Sequence, residues 1–456
     1  TAREFLRDYW QKKPLLVRQA IPDFESPISP DELAGLALEE EVESRLVIEH
    51  GERPWELQRG PFNEDTFQDL PERDWTLLVQ AVDQFVPEVA ELLEDFKFLP
   101  KWRIDDLMIS FAAPGGGVGP HFDNYDVFLL QAHGHRRWQI GQMCDADSPL
   151  LPHADLKILA QFEPTDEWVL APGDMLYLPP CLAHCGTAED DCMTYSVGFR
   201  APSAAEVLTH FTDFLGQFLP DEERYSDADI QPSEDPNQIQ RDALERLKAL
   251  LNEHMSDERL LMTWFGQFMT EPKYPELVAG IEIEEDDFLG ALEDGAILIR
   301  NPSARMAWSE VGEDLVLFAS GQSRLVSARL RELLKTEKDP AILGTLFAAL
   351  QNYDAADIAA LDRHQPFVAQ CQDRGLRPAA DGQGFELACE PATEGRIYDT
   401  VRRDPSVYAS IRALRVYWIY LCPERLFCHE NPHLQTSRRL HRHRLSGQPA
   451  GRGAGR

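Results

Sequence analysis

Two histidines and a carboxylate are the residues whose types and spacing point most directly to chemistry. His121 and Asp123 stand two apart in PHFDNYDVF, and His184 follows some sixty residues later in GDMLYLPPCLAHCG. On a strand, residues i and i+2 share one face, so the first two would project side by side. A His-x-Asp pair with a distant His on a β-scaffold is a facial ligand set. It occupies one face of an octahedral ion and leaves three positions open. These donors suit Fe(II), and the open positions accept a bidentate co-substrate and O2. A His-x-Asp pair also recurs by chance in ordinary strands. Here Gly173, Pro179 and His184 add a cupin-like turn: the glycine makes the tight bend into a strand, and the prolines stiffen the exit that aims the imidazole.

A dicarboxylate co-substrate that chelates the metal needs a cation for its far carboxylate, and arginine is the natural bidentate partner. Arg136 and Arg137 lie on the next strand-like run. Neighbouring strand side chains point to opposite faces, so only one turns inward. Trp138 shares the face of Arg136, which selects Arg136. Ser110, on the strand before the glycine-rich loop, is a hydrogen-bond donor for the same carboxylate. Asp106 has the parity of Ser110, Tyr125 the parity of His121 and Asp123, and Ser196 sits on the last strand of the region. These three are expected to face a cavity near the metal, where a carboxylate and a phenol suit a cationic side chain. The run Gly115 to Gly119 lacks the Gly-Lys-Ser/Thr ending of a phosphate loop and leads into a strand, so that reading is rejected. Cys181, His184 and Cys185 give only three zinc donors close in sequence, one already used, and zinc is rejected too.

The elements that must hold these groups are legible as a change of period. Residues 5–13 read as a helix stopped by Pro14, and 15–17 as a strand. Residues 75–98 are apolar at helical spacing (Leu77, Leu78, Ala81, Val82, Phe85), which predicts a helix. From 104 to 200 the period is two: 107–111, 127–130, 137–140, 168–170, 175–178 and 194–199 are short strand-like runs separated by Gly, Pro and Asp. Many short strands with turn signals predict a β-sandwich or small barrel. After Pro202, residues 203–219, 236–255 and 257–270 are amphipathic helices. A second block has helix-like 286–292, strand-like 296–300 and 315–319, then helical 327–335, 341–350 and 357–361. Helices around a small hairpin predict a winged-helix-like module. Its acidic patch at 282–287 argues against DNA binding.

Composition narrows the function classes. A chain of 456 residues predicts two or three domains. With 44 basic and 78 acidic residues the formal charge is −34. Such a surface repels phosphate backbones and anionic headgroups, which predicts no direct nucleic-acid or membrane binding and favours a basic partner. Residues 391–456 are different: they carry a net +7 and leave −41 on the rest. They read as an appended, largely disordered segment rather than a basic arm, with His429, His433, His441 and His443 as adventitious metal ligands. The first residues hold two acids and no apolar leader core, and eight cysteines show no framework spacing. Both features predict a cytoplasmic protein with reduced thiols.

Together these residues resemble a JmjC-type Fe(II)- and 2-oxoglutarate-dependent oxygenase. WRIDDLMISF, PGGGVGPHFDNYDVF, the GHRRW run, TYSVGFRAP and the opening FLRDYWQKKPLLVRQAI resemble the bacterial ribosomal oxygenase family over about residues 3–370. Members of that family hydroxylate an arginine of large-subunit ribosomal protein sixteen. The resemblance implies an α+β chain. A cupin-like JmjC double-stranded β-helix spans 1–202, a helical dimerisation region 203–272 and a winged-helix-like domain 280–372. An atypical tail, 373–456, has no family counterpart. The resemblance also implies Fe(II) ligands at His121, Asp123 and His184, 2-oxoglutarate contacts at Ser110 and Arg136, and substrate contacts at Asp106, Tyr125 and Ser196. The implied partners are a basic ribosomal protein and a second copy of the chain. Cys181 departs from the family pattern, standing where glycine is expected in the Pro-Pro turn. Two other readings stay open at this point. One is a JmjC hydroxylase or demethylase with another protein target. The other is a cupin-like metal-binding protein without turnover, which would have no use for a buried Arg136 facing the metal.

Overall fold

A computed structural model describes residues 1–51, 54–152, 155–232, 234–278, 303–311 and 314–327, with the short strands Ala296–Arg300, Leu376–Pro378, Phe385–Leu387 and Ile419–Pro423. The chain divides into two compact units, one covering Thr1–Ala201 and the other beginning at Pro202.

In the first unit, helix α1 (Ala2–Asp8) is held by a reciprocal cap between Thr1 and Glu4, and α2 (Pro30–Leu36) by the same device between Ser29 and Glu32, with Pro30 in its first turn. The strands are β1 (Leu15–Val17), β2 (Ser44–His50), β3 (Pro54–Arg59), β4 (Trp75–Val79), β5 (Ile104–Ala112), β6 (Val127–His133), β7 (Arg136–Met143), β8 (Asp166–Leu170), β9 (Met175–Leu178), β10 (Leu182–Ala188) and β11 (Cys192–Phe199). They form an eight-stranded sheet, β1-β9-β6-β11-β5-β4-β2-β3, and a three-stranded sheet, β10-β7-β8. From β6 onward the chain passes back and forth between the sheets: β6 in the larger, β7 and β8 in the smaller, β9 in the larger, β10 in the smaller and β11 in the larger. This is the winding of a double-stranded β-helix. The inner faces meet in one apolar cluster in which Val127, Leu129, Leu176 and Leu178 from the large sheet pack on Trp138, Ile140, Leu170 and Leu182 from the small one.

The predicted helix over 75–98 is not what forms. Trp75–Val79 is a strand between β2 and β5, followed by short helical turns and α3 (Pro87–Glu91). Leu77 and Val79 are fully buried, and a short continuous apolar run reads equally as helix or buried strand until its neighbours are known. Helix α2 and strands β2, β3 and β10 are further elements of this unit that periodicity does not reveal.

In the second unit, α4 (Ala204–Gly216), α5 (Arg241–Met255) and α6 (Glu258–Thr270) coincide closely with the predicted helices. Helix α6 packs on a meander of β12 (Met306–Val311), β13 (Asp314–Ala319) and β14 (Gln322–Ser327). Ala296–Arg300 pairs antiparallel with Ile419–Pro423. The helices expected at 286–292, 327–335, 341–350 and 357–361, and most of 373–456, lie outside the described residues.

Candidate metal centre and co-substrate pocket

His121 and Asp123 lie in the irregular segment between β5 and β6, not on a regular strand, and His184 lies on β10. Two main-chain hydrogen bonds bring them together: His121 N–H to His184 O (3.0 Å) and His184 N–H to His121 O (2.8 Å). A third, Cys181 N–H to Asp123 O (2.7 Å), fixes the carboxylate's backbone. One ligand atom from each of the three residues lies within 4.8 Å of the others, and this is the group of His, Cys, Asp and Glu side chains among the described residues able to hold an ion. Neither Cys181 nor Cys185 belongs to it.

The rings are prepared for metal. His121 Nδ1 meets Gly119 O and His184 Nδ1 meets Leu182 O, each at 2.9 Å. Donation from Nδ1 leaves Nε2 with its lone pair free, the usual arrangement of a ligating histidine. His184 is buried, and its burial, followed by the neighbouring His121, holds its pKa well below the ordinary imidazole value. The ring is therefore neutral at neutral pH, as a ligand must be. Two nitrogens and one carboxylate oxygen on one side of a pocket fit a facially bound Fe(II).

The glycine-rich loop explains how the segment reaches β10. Gly115 N–H donates to Ala188 O (2.8 Å) and Ala188 N–H to Gly116 O (2.9 Å), so the loop is stitched along β10. A side chain at Gly117 would bring its Cβ to 2.5 Å from Gly186 O. The glycines serve close backbone approach.

Arg136 points inward and is 3 % exposed, while Arg137 turns outward to Glu167 and Glu189. The Arg136 guanidinium lies 5.2 Å from the Trp138 ring centre. It donates from Nη1 to Ser110 Oγ (3.2 Å) and from Nη2 to Gly186 O (3.3 Å), and its Nε is buried without a partner. No carboxylate among the described residues pairs with it. A buried cation with idle donors and no counter-charge is costly, and an anion would resolve the cost. Trp138 in turn lies 5.9 Å from the His184 ring, so pocket and ligand set share a wall. Gly186 makes room for both, since a Cβ there would sit 2.7 Å from the Trp138 ring and 2.9 Å from Arg136 Nε. Sequence reasoning does not single out Gly186; its only signal is glycine two residues beyond a ligand histidine.

Asp106, Ser110 and Ser196 share the inner face of the large sheet, where Ser110 stands opposite Thr194 and Met108 opposite Ser196. Asp106 and Ser110 are buried, and Ser196 is at the edge of burial. Tyr125 sits on a bend rather than a strand. The residue is 43 % exposed, yet its hydroxyl meets the Asp123 carboxylate. Burial and then the charge of Asp123 raise its pKa. Tyr125 thus meets the Asp123 carboxylate as well as facing outward.

A JmjC domain model matches residues 91–207 and a ROXA-like winged-helix model residues 253–358. The chain is 40% identical over 321 residues to the ribosomal protein uL16 3-hydroxylase of Escherichia coli, an alignment covering 70% of this chain and 84% of that protein. The chain belongs to the ribosomal oxygenase family. The probable ribosomal oxygenase of Haemophilus influenzae is 35% identical over 333 residues, 71% of this chain and 81% of that one. The structure of YcfD, a ribosomal oxygenase from Escherichia coli, in complex with cobalt and 2-oxoglutarate is similar to this chain with a TM-score of 0.66 and 32% identity, covering 92% of this chain and 97% of that one. The ribosomal oxygenase fold is therefore a JmjC double-stranded β-helix with a helical region and a winged helix, and the chain is a JmjC oxygenase of the 2-oxoglutarate-dependent class.

Proposed function

We propose that this ribosomal oxygenase hydroxylates an arginine side chain of the large-subunit ribosomal protein uL16. The observation that carries the reading is the buried Arg136 without a counter-charge beside a facial His-Asp-His set. His121, Asp123 and His184 hold Fe(II), and Arg136 with Ser110 binds the far carboxylate of 2-oxoglutarate. Bound there, iron, 2-oxoglutarate and O2 supply the oxidising chemistry, in which one oxygen atom goes to a C–H bond and the other leaves in succinate, with CO2 released. The protein orients and excludes. Trp138, Leu129, Ile140 and Leu176 keep water from the inner face, and Asp106, Tyr125 and Ser196 receive the target guanidinium.

The same reading places the enzyme in the cytoplasm as a homodimer. No helix among the described residues is long and apolar enough to cross a membrane. Helix α5 buries no residue, and its Leu244, Leu247 and Leu251 are 48, 43 and 48% exposed along one face, which supports the 203–272 segment as the dimerisation region. Sedimentation of a Leu247→Glu variant at monomer mass, with the parent at dimer mass, is the expected outcome. The domain limits 1–202, 203–272, 280–372 and 373–456 belong to this proposal, as does the absence of nucleic-acid binding.

The activity is tested by incubating uL16 with iron-loaded enzyme and 2-oxoglutarate. The expected result is a gain of one oxygen atom on an arginine, with equimolar succinate. Succinate at the same rate with and without uL16, and no mass gain, would refute the assignment.

A further inference from the structure

Behind the segment that carries Asp123 and Tyr125, a second group of buried polar side chains gathers on the outer face of the large sheet. Leu176 and Leu178 belong to the inner cluster, so Tyr177 between them turns the other way, under the N-terminal residues. Its ring stacks on Trp10 at 5.8 Å and meets Phe5 edge-on at 4.9 Å. Its hydroxyl reaches Asp126, a fully buried carboxylate that directly follows Tyr125. Tyr177 Oη donates to Asp126 Oδ1 at 2.6 Å, Gln11 Nε2 donates to Oδ2 at 2.9 Å, and Arg103 Nη2 lies 3.6 Å from Oδ2. Three segments distant in sequence thus converge on one carboxylate. One of them, at Gln11, lies outside residues 91–207 matched by the JmjC domain model.

The polarity of this group has one solution. A main-chain N–H only donates, and a phenol has one proton to give. Gln11 N–H donates to Tyr177 Oη at 2.7 Å, so the phenol proton goes to Asp126. Burial, then the bond to Asp126, push the Tyr177 pKa up, and the proton stays in place. Gln11 makes both of its bonds from a left-handed backbone with φ +56°, a conformation unfavourable for an L-residue that the two bonds offset. The group connects to the active site through four residues. Asp123 O accepts from Cys181 N–H at 2.7 Å and Asp126 O from Phe199 N–H at 3.1 Å, so the run 123–126 is fastened at both ends. Tyr125 lies between the fastenings, on a bend.

We propose that Gln11 and Asp126 are positioning residues for substrate recognition that act through Tyr125. The N-terminal segment fixes Asp126 from behind the sheet, and Asp126 fixes the bend from which Tyr125 meets the target arginine. This rests on the assignment of Tyr125 under the proposed function, and the experiment separates the two. Binding of uL16 to enzyme loaded with Co(II) and 2-oxoglutarate is measured for Gln11→Leu, Asp126→Asn, Tyr125→Ala and the Gln11→Leu, Tyr125→Ala double variant, beside Co(II) affinity, 2-oxoglutarate affinity and Tm. Gln11 is at the surface, so its leucine variant carries the test if Asp126→Asn does not fold. Gln11→Leu is expected to weaken uL16 binding by roughly ten-fold, the scale of a slightly misplaced recognition group, with Co(II) and 2-oxoglutarate affinities near those of the parent. In the Tyr125→Ala background it should weaken binding no further, because residues that act through one another are not additive. A merely structural role would weaken binding equally in both backgrounds, and that outcome overturns the inference. Parental uL16 binding in Gln11→Leu, or loss of Co(II), overturns it too. Parental binding in Tyr125→Ala overturns the Tyr125 assignment and this inference with it.

Discussion

At the scale of single residues, the site depends on what each side chain is denied as much as on what it is given. Arg136 is buried with two donors engaged and, among the described residues, no anion beside it, an environment that suits a carboxylate. Replacing it by alanine is expected to weaken 2-oxoglutarate binding by about 2–5 kcal/mol, the range for truncating a buried hydrogen-bonded charge pair. Co(II) affinity, measured by the same calorimetric titration, should be nearly unchanged, and loss of the metal would make Arg136 a structural residue instead. Cys181 tells a different story. It stands where glycine is expected and adopts φ +65°, a left-handed conformation that costs an L-residue about 1–2 kcal/mol. The turn keeps its shape because Cys181 is tied on both sides, donating to Asp123 O and accepting from Cys144 N–H, each at 2.7 Å. Cys181→Gly is therefore expected to raise the free energy of urea unfolding by up to about 1 kcal/mol once glycine's larger unfolded-state entropy is subtracted, with metal binding retained.

At the scale of elements, most of the work is backbone against backbone. Strand β10 carries His184, pairs with β7 that carries Arg136, and is stitched to the glycine-rich loop. A change that lifts the loop from β10 therefore separates His121 from His184. The N-terminal strand β1 closes the large sheet over β9, and the turn after it is clamped by Asp174. That carboxylate accepts from Gln19 N–H (2.9 Å), Ala171 N–H (3.0 Å) and Arg18 Nη1 (2.6 Å). Burial by itself would raise its pKa, but the two backbone donors and Arg18 outweigh burial, and the net shift is downward. A carboxyl with a depressed folded pKa stabilises the fold above its unfolded value of about 3.9 and loses that contribution as pH falls through the folded value. Asp174→Asn is thus expected to cost about 1–3 kcal/mol at pH 7. The gap from the parent in urea unfolding should close as pH drops below 4, and a pH-independent gap would contradict the assignment.

At the scale of the whole molecule, charge is the dominant property. A formal charge of −34 favours capture of a basic partner through long-range attraction. Turnover of a basic substrate should fall with ionic strength, because the screening length drops to about 10 Å at 0.1 M salt. A decrease in kcat/KM of roughly ten-fold or more between low and physiological salt is expected, residing in association rate. A salt-independent kcat/KM would mean that the field plays no part in capture.

The reaction class was legible from residues alone, because metal chemistry demands particular side chains, and His121, Asp123 and His184 stand in a recognisable spacing with Arg136 nearby. Alternating strands from 104 to 200 and the amphipathic helices after Pro202 were legible for a similar reason: one-sided burial imposes a period. What periodicity could not carry is everything decided by contact between distant segments. Trp75–Val79 is a strand because β2 and β5 flank it. His121 and Asp123 meet His184 through two backbone bonds across an irregular loop, not through strand parity. Gly117 and Gly186 matter because two backbones and a tryptophan converge on them. The partnership of Gln11, Tyr177 and Asp126 exists only where three distant segments converge. The one-dimensional pattern records which side chains chemistry and burial require; which backbone lies against which is settled only when the sheets close.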